Sequence, residues 1–295
     1  MFENVIVGVD ELSGGRDAIA LATWLAGDGG EVSLAHVYIE SLLPARGSPG
    51  AFKAGEARHT LEVLETARAE AGITAALYPV ASSFVGRGLH ELAEEKRADL
   101  LVVGSTRHGL LGRVLQGDDM RAALNAAPCA VAVAPTGFAR RPAVLAEIGV
   151  GYDGSPESAN ALAVARELAA ARGARVSVFQ AVSPPRGGYV DPRHPDPYDL
   201  EKDVERAREA LAALGDVEAH AAYGDPAEEL ALYGASVDLL IVGSRGYGPL
   251  GRLIHGNTSL QLARAARCPL LVLPRSAAAD RPAQLPGEHD TAGAK

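Results

Sequence analysis

Apolar and polar positions follow two rhythms along this chain. Short continuous apolar runs are bounded by glycine, proline or charge, and between them lie longer stretches whose apolar residues recur at helical spacing. The short runs fit strands buried on both faces, and the longer period fits amphipathic helices. In the second part of the chain a strand is predicted over 146–152. Ser155-Pro156-Glu157 then supplies an N-cap, a proline at the first helical position and an acid in the first turn. Leu162, Ala165, Leu168 and Ala169 make an apolar stripe down that helix, and Gly173 ends it. A strand over 175–181 follows, and residues 184–199, with five prolines and two glycines, read as a loop. A helix over 200–214, a strand over 217–223, a helix over 226–233 and strands over 237–242 and 270–273 complete the set. The first part runs the same way, with its third strand passing less cleanly into its helix over 80–88. Alternation of this kind predicts an α/β fold with a parallel sheet covered on both faces.

The pattern is used twice. Val5-Ile-Val-Gly-Val-Asp10 returns as Ile148-Gly-Val-Gly-Tyr-Asp153, and Ala98-Asp-Leu-Leu-Val-Val-Gly-Ser105 as Val237-Asp-Leu-Leu-Ile-Val-Gly-Ser244. Gly112-Arg113 returns as Gly251-Arg252, and the stretch 129–135, which begins at Cys129, as 268–274, which begins at Cys268. Each copy has the length of a domain rather than of a solenoid repeat, so two tandem domains are expected, over 1–137 and 138–276. The hinge is placed at 136–142, where glycine, proline and charge break the rhythm. Residues 277–295 carry no periodicity and read as a disordered tail.

One stretch carries candidate chemistry. The apolar run that ends at Gly243 leads into a loop with Gly246, Gly248 and Gly251, and Gly256-Asn257-Thr258-Ser259 then opens a helix. Strand, glycine loop and helix start together present backbone N–H groups to a phosphate. Glycine also admits a ligand where a Cβ would block it. A plain surface loop is the alternative.

Gly243-x-x-Gly246, nine residues, then Gly256 and a polar residue resembles the nucleotide loop of the universal stress proteins. The flanks resemble the family too: Val-Gly-Ser-Arg-Gly before the loop, and Arg267-Cys268-Pro269-Leu270-Leu271-Val272-Leu273-Pro274 after it. Asn257 departs from the family's Ser or Thr, replacing a hydroxyl by an amide that still donates a hydrogen bond. The resemblance implies two Rossmann-like domains of the adenine nucleotide alpha hydrolase-like kind, each a five-stranded parallel sheet. It implies that Asp153 meets the nucleoside and the backbone of Ala181 the adenine. Gly243, Gly246, Gly256, Asn257 and Thr258 would surround the phosphates, with Arg245, Gly248 and Ser259 beside them in the same candidate set. An Asx-turn or helix cap is the other role open to Asp153. The implied ligand is ATP, with ADP, AMP or cyclic AMP as alternatives and Mg2+ only as the nucleotide's companion. The family also pairs through its last strand. Here 131–133 and 271–273 are short apolar edges, costly to leave in water, so an intrachain pseudo-dimer is expected, with further homodimerisation open.

The first copy departs more. Gly104 and Gly117 are kept, but Arg107 stands in the place of Gly246 and Asp118-Asp119 in that of Asn257-Thr258. Two carboxylates at a phosphate-facing turn repel a nucleotide, so this copy is expected to have lost or weakened binding, with Asp10 as a remnant. Ser13-Gly14-Gly15-Arg16-Asp17 resembles the SGGxDS loop of the ATP pyrophosphatases, but Ala18 replaces the final serine, and a loop leading into the first helix is expected. His36, His108 and His255 lack metal-ligand spacing, and exposed or capping roles are expected. Cys129 and Cys268 are expected to be small core residues rather than reactive thiols.

Composition narrows the partners. A net charge of -9 over 295 residues argues against nucleic acid, whose phosphates select basic surfaces. No long apolar run supports a leader or a membrane span, and two cysteines make no disulfide framework, so a cytoplasmic protein is expected. Hydrolysis needs groups that position water and offset developing charge, and no Walker lysine, carboxylate pair or nucleophile–base set is recognisable. The expected function is therefore a non-enzymatic, ATP-binding stress-response or signalling module, acting mainly through its second copy with a protein partner still to be identified. A partner-binding structural tandem with vestigial sites, or a slow ATP-using enzyme, are the alternatives.

Overall fold

The computed structural model describes residues 2–10, 13–27, 29–39, 49–105, 123–124, 127–141, 144–183, 200–244, 258–265 and 267–274. The predicted loop at 184–199 and the predicted tail at 277–295 lie outside them. The first half contains β1 (Asn4–Gly8), α1 (Ser13–Ala26), β2 (Glu31–Ile39), α2 (Pro49–Ala71), β3 (Ala76–Ser82), α3 (Val85–Lys96), β4 (Leu100–Gly104) and β5 (Ala130–Ala134). The second contains β6 (Glu147–Gly151), α4 (Pro156–Arg172), β7 (Arg175–Val182), α5 (Leu200–Ala212) and β8 (Glu218–Tyr223). It continues with α6 (Pro226–Tyr233), β9 (Leu239–Gly243), α7 (Thr258–Ala265) and β10 (Leu270–Leu273). The ten strands form one sheet in the order β3-β2-β1-β4-β5-β10-β9-β6-β7-β8. Each half is parallel within itself, and the halves meet through an antiparallel pair, β5 with β10, in which Leu270 faces Val133 and Val272 faces Val131. The predicted edge-to-edge pairing is thus present within the chain.

Local chemistry sets the helix ends. Ser155 accepts from the Ser158 N–H at 3.2 Å, Pro156 follows it, and Gly173 closes α4 at φ 67°, where a side chain would be strained. Asp225 caps α6 by accepting from the N–H groups of Ala227 and Glu228. The stretch 13–17 is the first turn of α1, not the loop predicted for it. The Asp10 carboxylate accepts from the Gly15 N–H at 2.9 Å, so a helix start is satisfied there without a capping residue directly before it.

Strand alternation sends side chains to two cores, one on each face. Val5, Val7, Ala132, Ala134, Leu239, Ile241, Leu271 and Leu273 belong to one core, and Ile6, Leu101, Val131, Val133, Leu240, Val242, Leu270 and Val272 to the other. Both cores draw on both halves, so they run unbroken across the β5–β10 seam. Each half also uses one aspartate as a stitch. Asp99 accepts from the N–H groups of Glu3 and Asn4 at 2.7 and 3.1 Å, and Asp238 from those of Ala146 and Glu147 at 2.8 and 3.0 Å. The repeated Asp-Leu-Leu therefore ties the start of the fourth strand to the start of the first.

Around the seam the linker is held tightly. Asp17, 4% exposed, accepts from the Gly137 N–H at 2.7 Å and the Ala139 N–H at 2.8 Å. Phe138 packs edge-on against Trp24, with ring centroids 5.8 Å apart. Arg172 of the second half donates to the Trp24 carbonyl, and Arg141 donates to that of Arg267 at 3.1 Å. Replacing Asp17 by Ala leaves two linker N–H groups without their acceptor, and we expect a loss of roughly 2–4 kcal/mol. Urea unfolding followed by the fluorescence of Trp24, the single tryptophan, measures it. An unchanged midpoint would show that strand pairing alone holds the linker.

Cys129 and Cys268 sit in equivalent buried places just before β5 and β10, in keeping with core roles. Burial pushes the Cys129 thiol from 9.0 up to about 11 and the Cys268 thiol from 9.0 up to about 12. Between about pH 9 and 11 the folded chain therefore keeps protons that the unfolded chain releases. Stability from this source is full below pH 9 and falls as pH rises, by up to about 1.4 kcal/mol per pH unit per thiol. A Cys129→Ala, Cys268→Ala double variant should show a shallower decline of urea midpoint across that window, whatever its absolute stability.

Candidate functional site

Topology places the crevice. From β6 the chain winds outward through β7 to β8, then returns to the other side of β6 for β9 and β10. The winding direction reverses between β6 and β9, and the carboxyl ends of such strands form the ligand crevice of open α/β sheets. The first half has the same reversal between β1 and β4. Because β5 and β10 run antiparallel, the two crevices open at opposite ends of the sheet.

In the second half Gly151 is level with Phe179 on one side and Val242 on the other. The ladder continues upward, with the Tyr152 N–H donating to the Phe179 carbonyl and the Ser244 N–H to that of Leu273, both at 2.9 Å. Asp153 lies two residues past Gly151, as Ala181 and Ser244 lie two residues past its partners Phe179 and Val242. Asp153 is exposed, and its Oδ1 accepts from the Ser155 N–H at 3.0 Å, which is the Asx-turn open to it from the sequence. The buried Ser158 supports the same turn, lying 3.4 Å from the Asp153 N and donating to the Ser155 carbonyl at 2.9 Å. Gly154, at φ 80°, lets the chain swing from strand into α4.

Two helix starts face this end of the sheet. α4 begins directly after Asp153, and α7 begins at Thr258 and Ser259, both half-buried, on the return from β9. Helix N-termini offer unpaired N–H groups and a positive dipole end, which favour anions. The structure thus brings Asp153, Ala181, Gly243, Thr258 and Ser259 to one end of the sheet. Arg245, Gly246, Gly248, Gly256 and Asn257 lie outside the described residues, as do Arg107, Gly117, Asp118, Asp119, His108 and His255.

Gly243 has a packing reason for being glycine that the loop pattern does not convey. A Cβ on it would lie 2.5 Å from the carbonyl oxygen of Glu157, in the first turn of α4. The end of β9 and the start of α4 therefore touch backbone to backbone. In the first half Gly104 ends β4 fully buried, and Asp10 is tied to α1 as described above. His36 is half-buried beside it, with Nδ1 2.7 Å from the Val9 carbonyl, a contact that nothing in the local sequence signals. Among the described residues no group of three or more His, Cys, Asp or Glu could hold a metal, and no helix is long and apolar enough to cross a membrane.

Comparison with known proteins gives consistent matches. The model of the Universal stress protein family matches twice, over residues 1–135 and 146–274. The chain is 35% identical over 130 residues to a universal stress protein of Thermus aquaticus, covering 41% of this chain and 93% of that protein. It is 32% identical over 187 residues to one of Mycobacterium tuberculosis H37Rv, covering 61% of this chain and 63% of that protein, just under two thirds of its length. In fold it is similar to a universal stress protein from Archaeoglobus fulgidus, with TM-score 0.64 and 17% identity over 93% of this chain and 97% of that one. A putative universal stress protein from Pseudomonas aeruginosa matches with TM-score 0.63 and 17% identity, over 92% and 93% of the two chains.

The Gly243 contact makes a direct prediction. Gly243→Ala forces a methyl group against the α4 backbone and should destabilise the fold by about 1–3 kcal/mol, whether or not a ligand is present. Thermal unfolding of the purified variant measures this. A midpoint equal to that of the unaltered chain would mean that the strand end and the helix can part without penalty.

Proposed function

The chain belongs to the universal stress protein family, and from that premise we propose that it binds an adenine nucleotide, ATP first among them, in the crevice of its second half. The observation that carries this reading is the meeting of Asp153, Ala181 and Gly243 with the α7 start at the strand reversal. The glycine loop read from the sequence runs between Gly243 and Thr258, where phosphates would meet backbone N–H groups. Asp153 keeps one oxygen in its turn while its carboxylate receives the ribose hydroxyls, and the backbone of Ala181 meets the base. Mg2+ enters only with the phosphates. The chain acts as a stress-response or signalling module that reports nucleotide occupancy to a protein partner, without a catalytic set of its own. The first half, with Arg107 and Asp118-Asp119 in its loop, contributes the seam and little or no binding.

Calorimetric titration with ATP, ADP, AMP and cyclic AMP tests the reading, with one nucleotide per chain expected. Two equal sites would refute the asymmetry between halves, and no binding of any of the four would leave the partner-binding tandem. Asp153→Asn keeps an acceptor for the Ser155 N–H but removes the charge, and should weaken ATP about tenfold, or ~1.4 kcal/mol. Gly246→Ala should weaken it roughly thirtyfold, about 2 kcal/mol, with little change in thermal midpoint. Unaltered affinity in Asp153→Asn would assign that residue to its turn alone.

A further inference from the structure

A second cavity lies away from the strand-end crevice, under α6 of the second half, with a volume of about 280 Å3. Among the described residues its aromatic wall is made by Phe179 on β7, His220 on β8 and Tyr233 on α6. Tyr233 stacks on Phe179 with centroids 4.8 Å apart, and the His220 ring is 5.8 Å from that of Tyr233. Room for Tyr233 comes from Gly149, where a Cβ would lie 2.7 Å from the ring. Its phenol oxygen shares a hydrogen bond with Ser177 Oγ, and burial holds it neutral by raising its pKa.

The charged groups around this cavity differ in their commitments. Arg208 is paired with Glu205, and His220 Nε2 lies 3.3 Å from Glu218. The side chain of Glu229, half-buried and lining the cavity, makes no hydrogen bond or ion pair among the described residues. A carboxylate facing a ring-walled space with no cation of its own is an incomplete arrangement.

The first half shows what completes it. Across the sheet, Gly8–Ala35–Tyr78 corresponds in register to Gly151–Phe179–His220. Over the Tyr78 ring sits the Lys96 ammonium, 4.8 Å from its centroid. Counting back from the shared Asp-Leu-Leu at Asp99 and Asp238, the residue in the sequence place of Lys96 is Ala235, which carries no charge and does not line the cavity. One half thus sets its own ammonium against the ring, and the other has the rings, a carboxylate and a cavity.

We propose that this cavity binds a small organic cation, a primary or quaternary ammonium on a short carbon frame, held by the ring wall and Glu229. Aromatic faces within about 6 Å attract such a charge, and a neighbouring carboxylate adds to the attraction. The volume falls just below the usual range for small-molecule sites, about 300–1,000 Å3, which suits a simple amine.

Choline and its neutral isostere 3,3-dimethylbutanol, titrated separately into the full chain by calorimetry, test the charge requirement. Choline is expected to bind with a Kd of about 1 mM or tighter, and the alcohol at least about tenfold more weakly. Ser236→Lys, which puts an ammonium on a residue that lines the cavity, should remove choline binding, and Glu229→Gln should weaken it by about tenfold or more. Thermal midpoints of both variants verify that they fold, and saturating ATP should leave choline affinity unchanged because the two sites are separate. Absence of choline binding up to about 10 mM would overturn the proposal. Equal binding of the alcohol would do so too, as would undiminished choline binding in both variants.

Discussion

The antiparallel pairing of β5 with β10 is the constraint on which the rest of the architecture rests. Each half taken alone would end in a short strand whose every residue is apolar and whose outer backbone groups lack partners. Pairing the two strands satisfies those groups and carries both cores across the seam without a break. It also sets the geometry of function, because an antiparallel seam between two parallel halves turns their strand ends in opposite directions. The crevices cannot share a ligand, so whatever each half binds, it binds independently of direct contact with the other's ligand. Any coupling between them must pass through packed elements. The contacts between Asp17 and the linker, and between Arg141 and the carbonyl before Cys268, form one such covalent and hydrogen-bonded route from α1 to the start of β10.

At the crevice, close approach of backbones governs which residues are tolerated. Gly243 is forced by the α4 backbone and Gly149 by the Tyr233 ring, for two different reasons. The first keeps a helix start close to a strand end, which is where an anion would be held. The second opens space on the sheet face for an aromatic side chain. A glycine in a strand thus marks close packing in both cases, but only the neighbour that fills the space says what it is for.

Much of this was legible in the chain because the signals were local. Pro226–Tyr233 and Leu270–Leu273 have the bounds that their sequence predicts, since a cap and a proline start the helix and glycine or proline bounds the runs. The doubling of the pattern showed two parallel units, and the apolar last strands showed how they would meet. Boundaries moved where a residue outside the element's own run decided its end. Ser13 begins α1, rather than a loop, because the carboxylate of Asp10 satisfies an N–H in its first turn. Helix α5 stops at Ala212, two residues short of its apolar period, as the chain turns toward Gly215 at φ 90°. For the crevice, the position of Asp153 could be read from its strand end, and so could the possibility that it makes a turn. The role of Ala181 rested on resemblance alone, because a contact through its backbone leaves no side-chain pattern in the sequence. Asp17 carried no signal at all, since its partners lie 120 and 122 residues away.

Duplication lets the positions of the two halves be compared one by one. Where both copies face the same physical demand they give the same answer. Asp99 and Asp238 stitch strand starts, Gly8 and Gly151 end the first strands, and Cys129 and Cys268 fill matching places beside the seam. These positions lie on or just before inner strands of the sheet, so a change at any of them disturbs several contacts together. Other positions, some on the same inner strands, differ between the halves. Ile6 becomes Gly149, Ala35 becomes Phe179, and Lys96 becomes Ala235, which together exchange a filled apolar wall and a fixed ammonium for an aromatic wall and an open space. That exchange needs several residues to change in concert, since Tyr233 fits only if residue 149 has no side chain. A set of interdependent substitutions on one side of a duplicated sheet, with the seam beside it left alone, is what specialisation of one half looks like in physical terms. Here those substitutions fall in the second half, under α6, while the seam that closes the sheet is shared by both.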